Sequence, residues 1–270
     1  MLILARLIVN LMKKKDKQIS IITVVYNNAK CIETSIKSVL SQSYENIEYI
    51  IIDGGSTDGT TEIIKELGDK ISKFVSESDS GIYDALNKGI EISSGEVIAI
   101  LHSDDEFCNK NTVSNVMNHM IGSKSEICFS DAVIVDNSSG RILRYYMASY
   151  FNKWMFRIGW MPPHTACFIE RSLFNELGSY SVNYKIAGDF DLLVRFFYSR
   201  KIKWSYLNQI SIKMSGDGVS NSGWKSKRLI FSEVNRSLKS NGVWSLSVFQ
   251  LARYIIRILE IIRPKKGGCD

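Results

Sequence analysis

Apolar and polar positions alternate in blocks along the first hundred residues. Ile19–Val25 (ISIITVV) is a short β-branched run suited to a strand buried on both faces, and the polar Tyr26-Asn27-Asn28 ends it. Ile32, Ile36, Val39 and Leu40 then recur at helical spacing, and a second buried strand follows at Ile47–Ile52. The turn Asp53-Gly54-Gly55-Ser56 leads into a helix with Ile63, Ile64 and Leu67 on its inner side. Residues 73–76 predict a third strand, 82–92 a helix, and 97–101 a fourth strand that ends at His102-Ser103-Asp104-Asp105. Such alternation implies an α/β fold with a mostly parallel sheet and helices on both faces. Ligands of such sheets sit beyond the carboxyl ends of the strands. The polar clusters at 26–28, 53–55 and 103–105 all fall at such ends, so they are expected to converge.

Beyond residue 125 the pattern changes. Residues 127–130 and 132–135 predict two strands, and 145–161 hold seven aromatic side chains, from Tyr145 to Trp160. A helix is expected over 189–200 and a last strand over 202–207. Without repeats or a low-complexity linker, 19–240 reads as one catalytic domain behind an N-terminal extension, 1–18. The extension's apolar opening is too short to span a membrane, and Met12 is as good a start as Met1.

Charge adds a division. Residues 1–140 carry 13 Lys/Arg and 20 Asp/Glu, whereas 141–270 carry 21 and 8, so the net +6 combines an acidic front with a basic back. That balance suits a cation-assisted site joined to a surface facing phosphate or anionic lipid. No basic helix with base-reading side chains and no RNA-binding aromatic motif is present, so no nucleic-acid partner is expected. The five scattered cysteines lack zinc spacing, and argue against a disulfide framework and for a reducing compartment.

Each cluster has a structural and a chemical reading. Asp53 is either the polar exit of a strand or an acceptor for a nucleobase. Asp104-Asp105, with Glu106 behind, is a solvated acidic turn or a seat for Mg²⁺ or Mn²⁺, which take oxygen ligands and leave room for a diphosphate. Asp189, in Gly188-Asp189-Phe190-Asp191, is a helix N-cap or a rigidly held general base. His164 follows two prolines that fix an extended backbone, and is a structural histidine or a ligand contact.

The order ISIITVVYNN, DGGSTDGT, ESDSGIYDALNKGI, GEVIAILHSDD, MPPHTACFIERSLF, IAGDFDLLVRFF resembles family 2 glycosyltransferases of GT-A fold. It is most similar to bacterial members that assemble colanic acid, O-antigen and other exopolysaccharides. The likeness runs from about Ile19 to Phe197. It implies an inverting, metal-dependent transfer from a UDP-sugar to a polyprenyl-diphosphate-linked saccharide at the cytoplasmic face of the plasma membrane. Thr23, Val25, Tyr26 and Asp53 would surround uracil, while Asp79, Asp84 and Lys88 would line the nucleotide-sugar pocket. Ser103 and Asp104 would meet the nucleotide, with Asp104 on the ribose and Asp105 on Mn²⁺ or Mg²⁺. Asp189 would be the base, and His164 and Asp191 are candidates for acceptor or diphosphate contacts. The donor half would span 19–125 and the acceptor half 126–240. The sequence departs from the pattern at Gly188, where many members carry Glu, and at Ser103, where the metal motif begins with Asp. A nucleotidyltransferase would need a Gly-rich basic loop where Tyr26-Asn27-Asn28 stands; a non-catalytic nucleotide-sugar-binding protein would have no need of Asp105 and Asp189.

In the tail, 241–270, helical spacing over 243–263 puts Gln250, Arg253, Arg257 and Glu260 on one side and Val248, Leu251, Ile255, Ile258 and Ile262 on the other. Either this helix lies in a membrane interface or it packs on the domain.

Overall fold

The computed structural model describes residues 17–216, 223–253, 256, 258, 260 and 269. The N-terminal extension before Lys17 therefore lies outside the described residues, as do Ile255, Arg257 and Ile262 of the tail.

Strands β1 (Ile19–Val25), β2 (Ile47–Asp53), β3 (Lys73–Ser76) and β4 (Val97–Ile100) form the parallel half of the sheet, in the order β3-β2-β1-β4. Their side chains alternate between two cores, as the twofold period of a strand requires. Ile22, Val24, Ile50 and Ile52 face Tyr83, Leu86 and Ile90 of one helix, the later α3 (Ile82–Ile92). Ile19, Ile21 and Ile51 face the opposite core with α1 (Ile32–Leu40), α2 (Thr60–Glu66) and α4 (Thr112–Ser123). Helices thus cover both faces, and the buried, β-branched character of β1 and β2 follows from that.

At the amino-terminal end of this half, Glu48 ties four segments together. It accepts from Ser20 Oγ at 2.5 Å and from the Ser94 backbone N–H at 2.7 Å, and pairs with Lys73 at 2.7 Å. Burial alone would raise its pKa, but Lys73, Ser20 and Ser94 outweigh it and hold the carboxyl at about 2.

The rest of the sheet is mixed. β8 (Cys167–Glu170) runs antiparallel to both β4 and β6 (Ile127–Val135), and β9 (Trp204–Ser215) pairs parallel with β6 and antiparallel with the short β5 (Glu106–Phe107). β7 (Ile142–Tyr146) pairs with β6 off the main path, completing nine strands. Two expectations change here. The segments 127–130 and 132–135 are one continuous strand, whose register against β9 shifts on either side of Asp131. The last strand is also twelve residues long, because it must span β6 and then reach β5.

Helices α5 (Arg171–Leu177), α6 (Gly188–Ser199) and α7 (Gly223–Ser240) complete the back half. The aromatic run folds inward: Phe151 meets Phe129, Phe156, Trp160, Phe197 and Trp204 at ring-centroid distances of 5.2–6.0 Å. The tail enters a 3-10 turn at Ser247–Leu251 before regular helix begins at Ala252, so it is not helical from residue 243. Cys108 and Cys269 form a disulfide across 161 residues, correcting the expectation drawn from cysteine spacing. Spacing along a chain carries no information on a contact made by its far end. Among the described residues no helix is long and apolar enough to cross a membrane.

Two glycines test the packing. A Cβ at Gly95 would lie 2.5 Å from Ser20 N and 2.9 Å from the Ile19 carbonyl carbon, backbone atoms that cannot yield. At Gly122, inside α4, the same atom would meet nothing within 4 Å. Gly95→Ala is expected to cost about 1–3 kcal/mol, as overpacking does. Gly122→Ala is expected to gain about 0.5–1 kcal/mol, from lost unfolded-state freedom and better helix propensity. Urea midpoints of the two variants check the opposite signs.

Candidate active site

The strand ends bring the polar clusters together as expected. β1 stops at Val25, which pairs with Asp53 at the end of β2. Asn27, in the left-handed region at φ 48, takes the Thr57 N–H on its side chain and gives its own N–H to Ser56. Asn28 reaches across to the third cluster, donating from Nδ2 to Ser103 Oγ at 2.9 Å. Gly54 separates Tyr26 from Asp79: a Cβ there would lie 2.5 Å from an Asp79 oxygen and 3.4 Å from the Tyr26 ring. The loop before α3 is drawn in by Asp79 and Asp84, which accept the N–H groups of Gly81 and Ser80. Lys88 binds the Ser78 carbonyl and Glu77 there.

Not every predicted contact is open. Thr23 is fully buried with its hydroxyl against Tyr49, and Val25 is buried as well, whereas Tyr26 is exposed. The Asp53 carboxylate is wholly buried and engaged by its own turn: Gly55 N–H, Ser56 N–H and hydroxyl, and Ser76 hydroxyl. In this structure it shapes the turn and presents no free edge to a base.

The third cluster holds the acidic pair. Asp104 faces a cleft of about 420 Å³ that is also lined by Lys30, Glu106, Lys213 and Cys269. Asp105 is buried; one oxygen takes the Ser215 N–H at 3.3 Å, and the other, Oδ2, makes no hydrogen bond among the described residues, although the Thr165 hydroxyl, itself unpartnered, is near enough to lower its pKa. Burial first, and Asp104 second, push its pKa well above the usual carboxylate range. An orphaned carboxylate oxygen beside a second carboxylate is the donor chemistry that a hard cation satisfies. Among the described residues no group of three or more His, Cys, Asp and Glu could hold an ion unaided.

A chain of rings leads from there to the fourth cluster. His102 lies 6.3 Å from His164, whose Nε2 meets the Tyr180 hydroxyl at 2.5 Å. Burial holds His102 below its ordinary pKa and, with His102 nearby, His164 at about 3, so both rings are neutral at pH 7. Tyr180 stacks on Tyr83 at 5.7 Å. Tyr83 donates to the Ile186 carbonyl at 2.6 Å and accepts the Gly188 N–H at 2.8 Å. A Cβ at Gly188 would sit 2.6 Å from the Tyr83 ring. The departure from Glu at this position therefore has a steric cause.

The N-cap of α6 is Ala187, so Asp189 is not the cap but stands inside the first turn, accepting the Phe190 N–H at 2.8 Å. Its carboxyl keeps an open edge while protein excludes most water around it, and burial pushes its pKa up to about 6. Asp191 points elsewhere: it accepts from Asn241 at 3.1 Å and lies 3.9 Å from Arg195.

Sequence reading missed Glu233. From α7 this buried carboxylate accepts the N–H groups of Lys185, Ile186 and Ala187 at 2.8, 3.0 and 2.9 Å, fixing the segment that delivers Asp189. No local pattern announces such a contact, since its partners are backbone groups 46–48 residues away.

A polar cleft that includes Asp104, beyond the carboxyl ends of a parallel sheet, is where ligands of open α/β folds bind. Residues 20–178 match "Glycosyl transferase family 2", and the chain belongs to that family. An uncharacterised glycosyltransferase of Mycobacterium tuberculosis (strain H37Rv) is 31% identical over 186 residues, covering 66% of this chain and 68% of the relative. A PGL/p-HBAD biosynthesis glycosyltransferase of Mycobacterium bovis is 26% identical over 71% of this chain and 74% of its own. The fold is that of Staphylococcus aureus TarS residues 1–349, solved with UDP (TM-score 0.63, 20% identity, 80% of this chain and 65% of that one). It is also that of the Pyrobaculum calidifontis mannosyltransferase PcManGT, solved with GDP-Man and Mn²⁺ (TM-score 0.60, 17% identity, 87% and 71%). These likenesses establish a GT-A fold with a central sheet and flanking helices.

Glu233→Gln keeps the shape of the clamp but exchanges an acceptor oxygen for a donor facing backbone N–H. Leaving buried donors unpaired costs about 1–3 kcal/mol. The variant's denaturation midpoint should fall accordingly, while a surface control, Glu62→Gln, should not move it.

Proposed function

We propose that the chain is an inverting glycosyltransferase that moves a sugar from a UDP-sugar to a saccharide carried on a polyprenyl diphosphate, at the inner face of a bacterial plasma membrane during surface polysaccharide synthesis. Residues 19–125 would hold the donor and 126–240 the acceptor. The observation that carries this reading is Asp189: a carboxyl at the first turn of a helix, open on one edge and raised to about 6. A base poised near neutral pH is what proton removal from a sugar hydroxyl needs. A protein that merely bound nucleotide sugars would have no use for it.

The acceptor hydroxyl gives its proton to Asp189 as its oxygen attacks the anomeric carbon. The bond from that carbon to the diphosphate breaks, and UDP leaves with the electron pair from the opposite face, so configuration inverts. Tyr26, exposed beside Gly54 and Asp79, offers a ring for a base to stack on, with the Asp53 turn as its floor. His164 and Tyr180, both buried and neutral, add no charge between the acidic pair and Asp189. Asp104 and the orphaned oxygen of Asp105 would hold a divalent cation, Mn²⁺ or Mg²⁺, together with the diphosphate; when bound it neutralises charge on the leaving group. UDP in TarS and Mn²⁺ in PcManGT support the donor class and the cation, and the glycolipid context of the M. bovis relative supports a lipid-borne acceptor.

Three measurements test the reading. Asp189→Asn should bind UDP normally yet release UDP from donor and acceptor about 10² to 10⁴ times more slowly. If Asp191→Asn loses turnover and Asp189→Asn keeps it, the base is misassigned. The second is the pH profile of kcat. The base works ionised and its pKa is raised, so the rate should fall as pH drops through about 6, well above the range of an ordinary aspartate. A profile flat down to pH 5 would contradict this. The third is calorimetry of UDP binding. Mn²⁺ should tighten it in the native protein and leave it unchanged in Asp105→Ala; equal tightening in both would remove Asp105 from the cation site.

A further inference from the structure

The tail is amphipathic, and although Val243, Ala252 and Ile256 pack on the domain, its polar side is buried as well and several of its apolar side chains face outward. Gln250, Arg253 and Glu260 are 0%, 4% and 1% exposed, whereas Trp244, Val248 and Ile258 are 63%, 60% and 55% exposed. Leu246 and Phe249 are exposed too, the latter edge-on to Trp244 at 6.1 Å. The inward polar side is anchored at Glu260 and Ser245, whereas the buried Gln250 amide has no hydrogen-bond partner among the described residues. Glu260 accepts the Tyr150 hydroxyl at 2.7 Å and lies 3.6 Å from Arg144, Ser245 donates to the Arg157 carbonyl at 2.5 Å, and Gln250 and Arg253 close over Gly159. Apolar area left in water costs stability in proportion to its size. A helix meant only to cap the domain would gain by rolling over. Its outward side is therefore built for an apolar medium.

Charge says which one. No Asp or Glu occurs in residues 137–169 or 234–259, the two segments that meet at this surface, while Arg141, Arg157 and Lys239 are exposed along them. The neighbouring 3-10 turn (Lys153–Ile158) also exposes Trp154. Exposed tryptophans, aliphatic side chains and cations without acids match the interface of an anionic bilayer. A second copy in a two-fold contact would set the same cations against themselves.

We infer that the chain docks on anionic lipid through the outward apolar side of its C-terminal segment, with the polar side serving as the joint to the catalytic domain. This deepens the reading of a lipid-borne acceptor, but its test needs neither donor nor acceptor. The full chain is sedimented with phosphatidylcholine vesicles with and without phosphatidylglycerol. Binding to the anionic vesicles should be at least tenfold tighter than to neutral ones, and Val248→Asp/Ile258→Asp should weaken it at least tenfold. Both positions are exposed, so UDP binding should be unchanged in the variant. Absence of vesicle binding, or equal binding by native and variant chains, overturns the inference. So does sedimentation velocity showing a dimer that the double substitution dissolves in a chain that ignores vesicles. Vesicle binding with no sugar transfer would instead reject the proposed function and leave the docking surface standing.

Discussion

Asp189 stands where it does because the backbone just before it is held from two sides. Glu233 takes three successive N–H groups, from Lys185 to Ala187, and the Tyr83 hydroxyl bridges the Ile186 carbonyl and the Gly188 N–H. The Ala187 and Gly188 N–H groups are among the donors that a helix leaves unpaired at its start, and Ala187 has no side chain able to cap them. The satisfaction comes from elsewhere in the chain, from α3 in the front half and α7 near the end. This one arrangement couples both halves of the fold to the position of a single carboxyl. It also explains Gly188: the Tyr83 ring that supplies the hydroxyl occupies the space where a side chain would go.

Two carboxyls of the site are shifted the same way for different ends. Burial raises both, yet Asp189 has an N–H donor and an open edge, so its shift stops at about 6. Asp105 has a like-charged neighbour and an oxygen with no partner, and burial holds it well above the usual carboxylate range. The first is suited to exchanging a proton near neutral pH. The second is suited to losing one to a cation, since an oxygen left without a hydrogen bond in the interior is costly until something positive meets it. Between them the aromatic chain His102–His164–Tyr180–Tyr83 adds no charge of its own, so neither carboxyl is quenched by a permanent counterion.

The front of the fold was legible because its signals are local. Runs such as ISIITVV and IEYIII lie between parallel neighbours and are covered on both faces by helices, and that burial is the reason they are continuous. Their polar ends mark the ligand side without any further knowledge. Legibility fails where a residue's role is set by distant partners. Asp53 reads as an open carboxylate, but Ser56 and Ser76 close around it. Glu233 draws no notice, since its partners are backbone groups 46–48 residues away, and Asp131 gives no warning that a strand can continue through it with a shifted register. The Cys108–Cys269 pair lies furthest from view, because nothing near either cysteine indicates the other.

The tail shows the limit of periodicity most clearly. Helical spacing separates Gln250, Arg253 and Glu260 from Val248 and Ile258; in the structure the first three are buried and the last two exposed. What spacing does not fix is which side turns inward. The usual inference, that the apolar side does, assumes water as the only alternative environment. Here the joint is made of specific pairs: a tyrosine hydroxyl and an arginine on Glu260, and a glycine at residue 159 that leaves room for Gln250 and Arg253. Such pairs fix one orientation of the segment where a greasy contact would tolerate several. A domain held to its tail by oriented polar contacts keeps a constant angle to whatever the apolar side enters. Under the proposed function this constancy would let Asp189 meet an acceptor hydroxyl presented from a fixed direction.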